Sequence, residues 1–151
     1  MTLLIDNDLN PFIMDNNSIA SLILRLGFGL YMILGHGYPK LVKFLNGDFQ
    51  FAELFGLPSS VNLALAIITE FILPIFVVLG YFTRLASIPI IFTMAVAAFM
   101  ANYGNPWFAY QAAGGGSKEM ALLFLFGFLG IAFLGSGKYS LHAQLLNRRY
   151  K

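Results

Sequence analysis

The amino-acid sequence predicts an all-α integral membrane protein, a bundle of four hydrophobic helices. Three observations predict it. Hydrophobic residues fill 58% of the 151 positions and the mean hydropathy is +0.75, above the roughly 45–50% apolar content of soluble domains. Charged residues fill only 11%, against about 25% in an average soluble domain. The apolar residues also gather in four stretches, 19–34, 61–80, 85–101 and 120–134. A chain this short cannot bury four helices that are apolar all round, so lipid must cover part of them.

Taken in order, residues 1–17 carry Asp6, Asp8 and Asp15 with no Lys or Arg. They read as a flexible polar tail in which Pro11 discourages a helix. A cleaved leader would need a positive lead-in, so the first apolar stretch is expected to be an uncleaved anchor. The second and third stretches match the about 20 residues that cross a bilayer core, whereas the first and fourth are short and must borrow neighbours at their ends. Between the first two, residues 36–60 mix Phe44, Phe49, Phe51, Leu54 and Phe55 with Lys40, Lys43, Asp48 and Glu53. That mixture predicts a loop with a short amphipathic piece at the interface.

Residues 80–84 make a tight turn, so the second and third helices are antiparallel neighbours. Tyr103, Trp107, Phe108 and Tyr110 in the next connection suit the headgroup level. The run 114–116 of three glycines then gives a flexible entry to the fourth helix, with Ser117 as its N-cap. Gly27, Gly29, Ala95, Ala98, Ala101, Gly127 and Gly130 allow close helix packing. The transmembrane domain is thus expected over 18–142, followed by a basic tail over 143–151.

Four spans put both termini on one side, with Arg84, Lys138, Arg148, Arg149 and Lys151; Lys40, Lys43 and Lys118 fall on the other. The positive-inside rule places the termini in the cytoplasm of a cell membrane. The few basic residues form no stripe for nucleic acid. Zero cysteines exclude thiol–disulfide chemistry and iron–sulfur clusters. His36 and His142 follow the first and fourth helices, on opposite faces about 30 Å apart, so they share neither a metal nor a haem. No metal and no intrinsic cofactor is expected. His36, between Gly35 and Gly37, is a candidate for a headgroup or ligand contact.

Arg25, Glu70 and Glu119 are the ionisable residues that need explaining. A charge at the bilayer centre costs about 2.5–3.5 kcal/mol on insertion scales and usually faces inward with a partner. Arg25 and Glu70 have compatible depths, so one reading is an interior ion pair between them. The other has Arg25 reaching out to lipid phosphates and Glu70 protonated against a backbone carbonyl. Pro74 removes the helical partner of the Glu70 carbonyl, predicting a kink that is either a polar site or a packing feature. Glu119 suits the first turn of its helix, at a depth the sequence leaves open. No catalytic residue is identified.

The run Arg25-x-Gly27, then Gly35-His36-Gly37-x-x-Lys40-Leu41, resembles the first-helix signature of the DoxX/DoxD-like family of bacterial membrane proteins. Glu70, Gly80-x-x-Thr83-Arg84, Met94-Ala95-x-x-Ala98, Glu119 and Gly135-x-Gly137-x-x-Ser140-Leu141 continue the resemblance over residues 20–142. His142 departs from it, standing where the family often has an acid. The resemblance implies a four-helix membrane fold and an accessory role in a quinone-linked respiratory or oxidoreductase complex. It points to Arg25, His36, Lys40, Glu70 and Glu119 as ligand, quinone or proton-site residues, to a bound quinone, and to membrane or redox partner subunits or self-association. A scaffold module, or a small permease with its polar site at Arg25, Glu70 and the Pro74 kink, is the alternative.

Overall fold

The computed structural model describes the backbone of residues 10–149 and the side chains of 16–145. Among these residues all regular structure is helical: α1 (Asn10–Met32), α2 (Tyr38–Leu45), α3 (Ser59–Ile67), α4 (Leu73–Leu79), α5 (Thr83–Val96), α6 (Glu119–Leu134) and α7 (Leu141–Arg149). Three π-helical turns, Ile33–Gly37, Ile68–Ile72 and Ala97–Ala101, join α1 to α2, join α3 to α4 and extend α5. The result is a first rod (α1–α2), a second (α3–α4), a third (α5 with its π-turn) and a fourth (α6).

Three rods are long and apolar enough to cross a membrane: Asn16–Leu45 at 30 residues, Ser59–Leu79 at 21 and Thr83–Ala101 at 19. Helix α6 is as apolar but has 16 residues, about 24 Å at 1.5 Å per residue. It packs against α5 and α1, while α4 packs against α1 and α5. The core they enclose holds Met32, Val77, Ile90, Met94, Phe124, Phe128 and Ile131. Small residues set the spacing: a Cβ on Gly127 would overlap the Phe28 ring, and one on Gly29 would overlap Val78. Large apolar side chains such as Ile23, Leu34, Leu85, Phe92, Phe126 and Phe133 point outward, as lipid-facing positions do.

Four local expectations are corrected. Residues 36–45 are not loop, because the first rod runs on to Leu45. Proline ends a helix by lacking an N–H and crowding the preceding turn, but Pro39 stands at the start of α2, just after a π-turn. Pro74 stands likewise at the start of α4, so the break expected there takes the form of a π-turn. The amino-terminal segment is helical from Asn10, with Pro11 in a first turn where its missing N–H costs nothing; residues 1–9 lie outside the described part. Ser117 does not cap α6, whose N-cap position is Lys118 with no side-chain cap bond. Beyond the rods, α7 occupies most of the segment expected as a basic tail.

Candidate functional site

The sequence places two charges deep in apolar rods, and the structure separates them. Glu70, 4% exposed, forms an ion pair with Lys40 rather than Arg25. Arg25, 0% exposed, donates from Nη1 to the Val78 carbonyl at 3.2 Å and the Val77 carbonyl at 3.4 Å, and from Nη2 to the Tyr139 carbonyl at 2.6 Å. The expected Arg25–Glu70 pair is therefore absent. Side chains lean toward the amino terminus of their helix, which turns Arg25 away from Glu70 and toward the carbonyls that end α4. Lys40 reaches Glu70 because the first rod continues past Gly37.

The Glu70 site is assembled where two π-turns meet. Turns Ile33–Gly37 and Ile68–Ile72 pack face to face. Gly37 lies against the Glu70 carbonyl so closely that a Cβ would overlap it and the Phe71 Cα. The sequence singled out that carbonyl as the one Pro74 deprives of a partner, and a residue without a side chain covers it. π-Turns inside α-helices are frequent at functional sites because they widen the backbone locally. Here one aims Lys40 and the other Glu70.

Glu70 borders a cavity of ≈ 210 Å³ whose walls include Phe51, Phe55, Leu65, Phe92, Val96 and Ala101. Lys40 stands behind it, with its ammonium 5.9 Å from the centre of the Phe51 ring. The 46–58 connection that supplies Phe51 and Phe55 is pinned by Asn62, whose side-chain amide donates to the Leu54 carbonyl at 3.2 Å and the Leu57 carbonyl at 3.0 Å. Ser59 adds a bond to the Phe51 carbonyl at 3.0 Å. An apolar, partly open cavity with one carboxylate at its edge, backed by the ammonium paired to it, can seat a flat lipophilic group and hold a proton or hydrogen bond at one point.

The other residues singled out in the sequence divide. His36 is half-buried inside the first rod, short of its end at Leu45, and its ring meets Phe124 edge-on at 5.0 Å. It shares its π-turn with Gly37 and so lies beside the Glu70 site, not at the rod end expected. Glu119 lies apart, in the first turn of α6, where its carboxylate accepts from the Ala109 N–H at 2.6 Å. His142 is at the opposite end from His36: its N–H reaches the Gly80 carbonyl at 3.4 Å and its ring lies 6.4 Å from Phe82. No group of three or more His, Cys, Asp or Glu among the described residues is placed to hold a metal ion.

Sequence reasoning did not single out Asn62 or Phe92. Phe92 sits in a uniformly apolar stretch that carries no signal for a cavity wall. Asn62 left a usable one, since a polar amide early in a membrane helix needs a partner. Lys118 is a similar case: 8% exposed, it donates to the Tyr103 and Asn105 carbonyls at 2.9 Å each and lies 5.1 Å from the Trp107 ring. It anchors the aromatic 102–118 connection.

No curated protein and no solved structure gives a significant match to the chain. A family model described as DoxX matches residues 20–103. That span takes in Arg25, His36, Gly37, Lys40, Glu70 and the turn at Gly80, and stops short of α6 and the 135–142 segment. It covers more than half of a chain whose apolar rods already mark it as a membrane protein, and the chain accordingly belongs to the DoxX family.

Proposed function

We propose that this DoxX protein is a multi-pass accessory subunit of the cell membrane that serves a quinone-linked redox complex, with the lipophilic carrier seated at the Lys40–Glu70 chamber. The carrying observation is the pairing of an apolar cavity walled by Phe51, Phe55 and Phe92 with a buried carboxylate at its edge. A quinone supplies reversible two-electron, two-proton chemistry when bound. Phe51 and Phe55 would pack against the ring, and Glu70, with Lys40 paired behind it, would offer the hydrogen bond and hold the exchangeable proton. With no cysteine and its two histidines set apart, His36 within the first rod and His142 in α7, the chain leaves any metal-based electron carrier to a partner subunit.

In this reading all four rods cross the bilayer and both termini are cytoplasmic. The distribution of charge supports that orientation. Lys40 is engaged by Glu70, Lys43 by Asp48 at 3.5 Å, and Lys118 by carbonyls. Arg84, Lys138 and the Arg148 and Arg149 positions of α7 gather at the other end, which the positive-inside rule assigns to the cytoplasm.

The test is solvent extraction and chromatography of quinones from protein purified in mild detergent. Wild type should carry quinone in near-stoichiometric amount. Glu70→Gln and Lys40→Met should each carry at least about fivefold less, a difference of about 1 kcal/mol in binding. Equal retention by all three proteins would rule the chamber out as a quinone site.

A further inference from the structure

The end of the molecule away from Glu70 has an electrostatic imbalance. Arg25 is fully buried, its partners are all backbone carbonyls, and its Nε has no acceptor among the described residues. A buried cation without a counter-ion is costly, and among the described residues no carboxylate lines the cleft beside it. That cleft, ≈ 510 Å³, is walled by Thr83, Arg84, Gly135, Ser136, Ser140 and His142 among others. Gly80 separates it from Arg25: a Cβ there would overlap both Arg25 Nη1 and the Ser140 Cβ.

Two further features point at an anion. Thr83 is 1% exposed and its hydroxyl has no partner among the described residues, although it opens α5 at the cleft wall. The residue before it, Phe82, stands at the N-cap and carries no oxygen to offer the first-turn N–H groups. A 14-residue helix thus presents an uncapped amino terminus, with the positive end of its dipole toward the cleft. Arg84 lies across Gly135, where a Cβ would come 3.0 Å from its Nε, and spends one donor on the Phe133 carbonyl at 3.3 Å. Its other donors remain for a ligand.

From this we infer that the cleft between the amino terminus of α5 and the 135–142 segment binds a phosphate-type anion. The Thr83 hydroxyl and the Arg84 guanidinium are its direct ligands, and Arg25 supplies the buried positive field. The cleft lies at the rod ends, so the phosphate comes either from an anionic lipid headgroup or from solution. The assignment is independent of the quinone reading, since it uses neither Glu70 nor Lys40.

Two variants and two probes test it. Thr83→Val is close to isosteric and removes only the hydroxyl; Arg84→Gln alters an exposed side chain. Native mass spectrometry of the full chain in detergent doped with phosphatidylglycerol reads lipid adducts, and thermal unfolding with added inorganic phosphate reads the free ion. Wild type should respond saturably to at least one probe, with each variant weakened about tenfold. A response to the lipid alone identifies a headgroup, and a response to inorganic phosphate identifies a soluble anion; either supports the site. Lipid adducts that persist equally in both variants are annular only and overturn it. So does a Thr83→Val protein that unfolds at a higher temperature than wild type while responding to both probes as wild type does, because the hydroxyl would then be an unused polar group.

Discussion

Arg25 and Glu70 are buried at different levels of the rod assembly, Glu70 near the middle of the second rod and Arg25 beside its carboxyl end, and the two levels satisfy their charges differently. At the α5–α7 end, Arg25 spreads its donors over the carbonyls of Val77, Val78 and Tyr139, which belong to α4 and to the connection before α7. A planar fork of five donors suits several fixed carbonyls at once, so Arg25 ties three parts of the chain together and stays put. Midway along the second rod Glu70 meets one flexible ammonium, Lys40, beside an apolar cavity. A carboxylate can be protonated and a lysine can swing away. One charge acts as a clasp, while the other is placed to exchange partners.

The strongest way to break this contrast is a pair of double-mutant cycles read by unfolding in detergent. Lys40→Met and Glu70→Leu each leave an uncompensated buried charge, which typically costs about 3–5 kcal/mol, and the double variant should recover much of it. Arg25→Ala should also destabilise, by about 3 kcal/mol or more, through lost charge-assisted hydrogen bonds and a cavity. Its cycle with Glu70→Leu should nevertheless be additive within about 0.5 kcal/mol. Coupling between Arg25 and Glu70 as large as that between Lys40 and Glu70 would mean that the two levels act as one site.

Arg25 and Glu70 also mark what the sequence could and could not tell. Both were legible as residues that need an explanation, because a charge in an apolar run usually faces the interior with a partner, although reaching out to lipid phosphates stayed open for Arg25. The rods were legible for the same reason: the second and third coincide closely with their apolar stretches, whereas the first runs on past its own to Leu45. The pairing was not legible, because it depends on the first rod continuing through Gly35, Gly37 and Pro39, three residues that ordinarily mark a helix end. A π-turn resolves the conflict by shifting the hydrogen-bond register, and single-residue propensities carry no sign of it. The convergence of the Gly80–Arg84 and 135–142 motifs on one cleft was hidden likewise, since it is a property of packing between the second, third and fourth rods.

A smaller effect sharpens the contrast at the junction of the two π-turns. Gly37→Ala inserts a Cβ onto the Glu70 carbonyl, and overpacking of this kind costs about 1–3 kcal/mol. The backbones must part, which carries Lys40 away from Glu70. Melting temperature should fall and quinone retention should fall with it, while the phosphate response at the far end stays as in wild type. An equal loss at both levels would instead mean that Gly37→Ala disturbs the fold globally.

The smallest effect is expected at Glu119, which stands at the start of α6 and not beside Glu70 in the middle of the rods. Its carboxylate is half-exposed, accepts one bond from the Ala109 N–H and sits in the first turn of α6. Glu119→Gln retains an oxygen for that bond and removes only the charge. The loss is the interaction with the positive end of the helix, about 0.3–1 kcal/mol and screened by salt. Unfolding in detergent should therefore shift slightly at low ionic strength and hardly at all in about 0.5 M salt, a screening length of roughly 4 Å. Quinone retention should be unchanged, because no wall of the chamber comes from α6. If Glu119→Gln empties the chamber as Glu70→Gln is expected to, the site extends along the 102–118 connection and the proton-handling role belongs to two carboxylates rather than one.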